Sequence, residues 1–171
     1  RMEIRIDSPD PFKQVGEILT KGMNVMDGYY NNPEASNTVL SPDGWLHTGD
    51  LGVLDPDGYL YIKGRSKSLI LGPSGQNIYP EEIEDLLNAQ PYIAESLVIE
   101  REGKLVSLVY PDAEAMKQNK ISREALLKII HETRKQINQQ IPAYSQIARI
   151  EIHDEEFEKT PKRSIKRFLY Q

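Results

Sequence analysis

At 171 residues, 39% hydrophobic and 27% charged, the chain has the composition of a globular protein, long enough for one ordinary domain or a small domain plus part of another. No apolar run approaches the roughly 20 residues that cross a bilayer, and the lack of cysteine excludes disulfides and thiolate metal sites. A net charge of −5 argues against a general nucleic-acid binder, His47, His131 and His153 lack ligand spacing, so no metal site is expected, and the lack of cysteine suits a cytoplasmic chain.

Residues 1–65 read as β structure. Met2, Ile4 and Ile6 alternate with Glu3, Arg5 and Asp7, as on a half-buried strand. Pro9 and Pro11 end it. Short apolar runs follow at residues 17–19 and 23–26, cut by Gly22 and Gly28. Asn31, Asn32 and Pro33 mark a turn that starts a helical turn through Glu34 and Ala35. Residues 45–54 and 59–63 flank Asp55-Pro56-Asp57-Gly58, a tight-turn sequence joining two strands. A calcium loop would need further oxygen ligands and a closing Glu, which are missing. This half has too little core for a complete domain and reads as the β-rich end of a larger, truncated one. The opening Arg1-Met2 fits a piece of a longer protein.

Residues 66–171 read as a small α+β domain, a short antiparallel sheet flanked by helices. Pro80 suits the first helical position, with Glu81 and Glu82 in the first turn and Ile83, Leu86 and Leu87 on one face. Residues 92–100 and 104–110 read as antiparallel strands joined around Glu102-Gly103. Ser122 caps a helix whose stripe is Leu126, Ile130, Thr133 and Ile137, and Pro142 ends it. Residues 148–152 form a last strand. The end is basic, with Ile165, Phe168 and Leu169 between its charges as a docking face.

Several residues can carry chemistry. Asp50 follows Thr48-Gly49, and a carboxylate can accept two hydrogen bonds from a vicinal diol such as a ribose. As a lone residue it is more readily a turn cap. Arg65 offers a planar fork and Lys67 a point charge, although surface ion pairing would account for either alone. Residues 72–77, Gly-Pro-Ser-Gly-Gln-Asn, form a turn-rich loop without the Walker pattern.

In this order the elements resemble the acyl-adenylate-forming enzymes, which include acyl-CoA synthetases and peptide-synthetase adenylation domains. The matching motifs are Gly16-Glu17-Ile18, Gly28-Tyr29-Tyr30, Gly44-Trp45-Leu46-His47-Thr48-Gly49-Asp50-Leu51, Asp57-Gly58-Tyr59, Gly64-Arg65-Ser66-Lys67 and Asn77-Ile78-Tyr79-Pro80-Glu81-Glu82-Ile83-Glu84. The tail, from Phe157 to Tyr170, is most similar to bacterial long-chain fatty acid–CoA ligases. The resemblance implies a ligase that uses ATP, Mg²⁺ and CoA to activate a fatty acid as acyl-AMP and pass it to the thiol. Peripheral membrane association stays open for the intact protein. Asp50 and Arg65 would bind nucleotide, Lys67 would be the hinge, and Ser74 and Gly75 would line the CoA route.

The family writes its catalytic lysine in Lys-Thr-x-x-Gly-Lys-Ile-x-Arg. Here the residues are Lys159 to Arg167, with Arg163 at the glycine and Ser164 at the lysine. Lys166, then Lys162, are the replacement cations; Arg163 is a further one. The isolated chain is expected to be inactive and to bind ATP very weakly. Two other readings stay open: an acyl-AMP ligase loading a carrier protein, and a degenerate, non-catalytic lid or interaction module.

Overall fold

The structure is a computed structural model describing residues 1–171. It divides into two compact units, Arg1–Lys67 and Ser68–Gln171.

The first unit is a four-stranded antiparallel meander, β1 (Glu3–Asp7), β2 (Gly16–Lys21), β3 (Leu46–Leu54) and β4 (Leu60–Arg65), in that order. Strand β1 is at an edge, so its expected apolar stripe is only partly covered. Ile6 is buried, while Ile4 is 39% and Met2 51% exposed. A short helix, α1 (Pro33–Val39), starts at the Asn32 cap, whose side chain accepts from the Ala35 amide at 3.0 Å. The 23–26 run joins no strand. Gly16 stands opposite Gly52 across β2 and β3. A Cβ on Gly52 would lie 2.9 Å from both the Ile18 side chain and the Tyr61 carbonyl oxygen. Glycine is needed there because the strands approach so closely.

The second unit opens with a small hairpin, β5 (Ile70–Leu71) and β6 (Asn77–Ile78), followed by α2 (Pro80–Asn88). Strands β7 (Ile93–Arg101) and β8 (Lys104–Pro111) pair antiparallel. Two helices follow, α3 (Ala113–Gln118) and α4 (Arg123–Gln140). The final strand, β9 (Ile147–Ile152), lies parallel to β8. The 18-residue α4 supplies the crossover that a parallel pair needs. No helix is long and apolar enough to cross a membrane.

Both sheet faces are covered, which explains the near-continuous apolar runs of β7 and β8. One face packs Ile83 and Leu87 of α2 and Leu126, Ile130 and Ile137 of α4 against Val98, Leu105 and Val109. The other holds Leu97, Ile99, Val106 and Leu108 under Phe157, with Ile165 and Tyr170 packed against them. The basic tail therefore docks on the sheet of its own unit. Its anchors differ from expectation: Phe168 stays 71% and Leu169 48% exposed, while Phe157 and Tyr170 meet edge to face at 5.2 Å.

Candidate functional site

The first cluster grows out of an irregularity in the meander. The β2–β3 register runs from Glu17↔Leu51 to Leu19↔His47, so four residues of β3 span two of β2. Thr48, Gly49 and Asp50, three residues against the single Ile18, fall in that bulge, where ladder hydrogen bonds are lost. Side chains replace them. Glu17 Oε1 accepts from the Gly49 amide at 2.9 Å, and Oε2 lies 2.9 Å from His47 Nδ1. The Thr48 hydroxyl donates to the Ile18 carbonyl at 2.7 Å and accepts from the Asp50 amide at 3.1 Å. Gly49 takes φ +73°, a left-handed conformation that suits glycine.

Asp50 lies opposite Arg65 in the β3–β4 register, and Arg65 Nη1 donates to Asp50 Oδ1 at 2.8 Å. A Cβ on Gly49 would lie 3.5 Å from Arg65 Nη2, so the guanidinium passes close over the glycine. The side chains are 36% (Asp50) and 58% (Arg65) exposed, which leaves an acid and a cation together at a solvent-facing surface. Lys67 lies in a single 3-10 turn, Ser66–Ser68, where the first unit ends.

Ser74 and Gly75 sit in the β5–β6 connection. Ser74 lines a groove of about 470 Å³ together with Leu71, Lys104, Tyr144 and Gln146. Gly75 takes φ +80° and has open space around it.

The second charged cluster is the tail. Lys159 and Ile165 form an isolated bridge that closes a tight turn between them. Within it the Thr160 amide donates to the Ser164 carbonyl and the Arg163 amide to the Thr160 carbonyl, each at 2.8 Å. Arg163 takes φ +63°, at the position where the family pattern has glycine.

Ion pairs occupy the flanks of that turn. Lys159 binds Glu95 at 2.7 Å and Glu156 at 2.5 Å, and hydrogen bonds to Glu156 and then Glu95 hold its ammonium above the usual lysine range. Lys166 binds Glu158 at 3.1 Å. Arg167 binds Glu84, lies 3.5 Å from Glu81, and donates to the Val98 carbonyl at 3.3 Å. Burial pushes the Glu84 carboxyl up, and the Arg167 guanidinium opposes that rise. Lys162 and Arg163 are exposed and make no side-chain hydrogen bond or ion pair.

Of the residues singled out from sequence, Asp50 and Arg65 meet directly. Lys162, Lys166, Ser74 and Gly75 belong to the second unit, on two separate elements. Glu17 and Glu84 gained no role from sequence: their partners lie 30 and 83 residues away in His47 and Arg167. The only available signal was that each stands within a family motif. No group of three or more histidine or acidic side chains is arranged to hold a metal, so none is assigned to Mg²⁺.

Comparison with known proteins places this geometry. The chain matches 46% of positions over 95 residues of the sulfoacetate–CoA ligase of Cupriavidus necator, 56% of this chain and 18% of that protein. It is 41% identical over 122 residues to a 2-succinylbenzoate–CoA ligase of Bacillus cereus, covering 71% of this chain and 24% of the relative. The chain thus spans about a quarter or less of these relatives. Among solved structures, the O-succinylbenzoate coenzyme A synthetase of Bacillus subtilis in complex with AMP superimposes with a TM-score of 0.75 at 28% identity, over 99% of this chain and 33% of that one. The same enzyme with ATP and magnesium gives 0.74 at 29% identity, over 98% and 33%. Residues 67–170 match the model of the AMP-binding enzyme C-terminal domain, and the chain therefore belongs to that family.

Proposed function

We propose that the chain is the carboxyl-terminal part of a longer ATP-dependent acid–CoA ligase, which forms an acyl-adenylate and passes the acyl group to CoA. The observation that carries this reading is the bulge-borne Asp50–Arg65 pair in a chain of this family. A half-exposed carboxylate suits the two ribose hydroxyls, and the Arg65 fork beside it suits the same sugar. Ser74 and the groove beside it suit an entering pantetheine arm. Lys67 is the hinge on this reading.

The acyl substrate is a carboxylic acid of a class yet to be measured. The similar ligases act on sulfoacetate, indoleacetate and 2-succinylbenzoate, and none of these supports the long-chain fatty acid expected from the tail. The adenylation cation passes to Lys162, because Lys166 is engaged by Glu158 while Lys162 has no partner. ATP–pyrophosphate exchange by the intact protein, driven in turn by these acids and by palmitate, tests the reading. Exchange with one acid and thioester formation on adding CoA are expected. Exchange that yields product only with a carrier-protein pantetheine moves the acceptor, and no exchange with any acid overturns the ligase reading.

Ser164, an uncharged residue at the lysine position, favours a second reading, a non-catalytic lid. Pyrophosphate exchange by the intact protein eliminates it.

A further inference from the structure

We infer that Glu17 is the positioning residue of the nucleotide-facing bulge, holding Asp50 beside Arg65 without itself touching ligand. The inference rests on the assignment of Asp50 to nucleotide.

The β2–β3 mismatch leaves the Gly49 amide without a ladder acceptor. Glu17 Oε1 takes that amide at 2.9 Å. Its other oxygen is 2.9 Å from His47 Nδ1. One side chain therefore grips the bulge at Gly49 and at the strand residue before it. The His47 tautomer with its proton on Nδ1 is the one that can donate across this contact to a carboxylate oxygen. Both Glu17 oxygens are engaged and its side chain is 26% exposed, which suits a brace and not a ligand contact. Gly49 is also the residue over which the Arg65 guanidinium passes, at 3.5 Å from a would-be Cβ. Releasing the Gly49 amide would loosen the bulged stretch of β3 that carries Asp50 beside Arg65.

The test is equilibrium dialysis of the intact ligase with Mg·ATP, using Glu17→Ala, Glu17→Gln, Asp50→Ala and the Glu17→Ala/Asp50→Ala double variant. Losing a hydrogen bond to a charged acceptor makes Glu17→Ala bind about tenfold more weakly. Glu17→Gln stays within about threefold, because its carbonyl oxygen still accepts from Gly49 and its amide can donate to the other histidine tautomer. Since Glu17 acts through Asp50, the double variant should bind no more weakly than Asp50→Ala. Multiplying factors would mean a general structural role and overturn the inference, as would wild-type binding by Glu17→Ala. Hydrogen exchange over residues 47–51 separates the two levels of failure. Faster Gly49 exchange in Glu17→Ala with unchanged ATP binding defeats the positioning role alone. Wild-type binding by Asp50→Ala defeats the nucleotide reading beneath it.

Discussion

Replacing Arg167 with alanine tests whether the tail is held by a buried ion pair. Its guanidinium is 19% exposed and meets a Glu84 side chain only 10% exposed. Glu84 Oε1 also accepts from the Val98 amide at 2.6 Å, so the carboxylate cannot simply swing out to water. Breaking a buried pair from one side strands the other charge and costs about 3 kcal/mol at sites with some solvent access. At a urea slope of about 1.5 kcal/mol/M, the unfolding midpoint should fall by about 2 M. Far-UV circular dichroism is the probe, since α2, α3 and α4 all lie in this unit. Burial raises the folded-state Glu84 carboxyl above its ordinary 4.5. As pH climbs past 4.5 the folded state keeps this proton longer, so stability is lost on the alkaline side. Without Arg167 that climb is steeper. The deficit of Arg167→Ala should therefore be largest at neutral pH and shrink toward pH 4.5, and adding Glu84→Gln should restore at least half of it. A midpoint shift below about 0.5 M, or a deficit indifferent to pH and to Glu84→Gln, would refute the stranded-charge account.

Gly52→Ala should destabilise the first unit by about 2 kcal/mol through overpacking against Ile18 and Tyr61, read by denaturation followed at Trp45; an unchanged midpoint counts against the close approach. Asp154 is held below its ordinary 3.8 by hydrogen bonds from Arg123. That contribution is present above pH 3.8 and fades as pH falls through the lower folded-state value, so the melting-temperature gap between wild type and Asp154→Asn should close in acid. The isolated 171-residue chain should form no acyl-adenylate and bind ATP very weakly, and calorimetry finding micromolar affinity would contradict this.

The legible parts of the fold were those written in local chemistry. The Asp55-Pro56-Asp57-Gly58 turn joins β3 and β4, and the Gly58 amide donates to the Asp55 carbonyl at 3.0 Å. Ser122 caps α4, and all four residues of the expected stripe are buried. Helix α3 was missed because it is six residues long and Met116, which packs against the core, is its single large apolar residue, too little to write a stripe; the Asp112 cap on the Ala115 amide was its other mark. The parallel placement of β9 was missed because side-chain alternation says which face is buried, not which way a neighbour runs. At the site, Asp50 and Arg65 were visible through motif order. The β3–β4 pairing that joins them was not, since register is a relation between strands.

The charges of the tail were countable from sequence, but their pairing was not. Lys159, Lys166 and Arg167 each face carboxylates, while Lys162 and Arg163 face none. An ammonium beside Glu158 gives up an exposed contact worth at most about 1 kcal/mol if it turns to a phosphate; a free one gives up none. Adjacent Cα atoms are about 3.8 Å apart, so moving the cation from position 164 to 162 shifts its origin by up to about 7 Å, a distance comparable to the reach of a lysine side chain. On the proposed reading Lys162→Ala should lower pyrophosphate exchange in the intact protein about a hundredfold, the scale of one lost transition-state contact, and Lys166→Ala by less than tenfold. Arg163→Ala gauges how far the neighbouring guanidinium shares the task. The reverse order for Lys162 and Lys166 would return the role to Lys166 and show that the Glu158 pair opens during turnover.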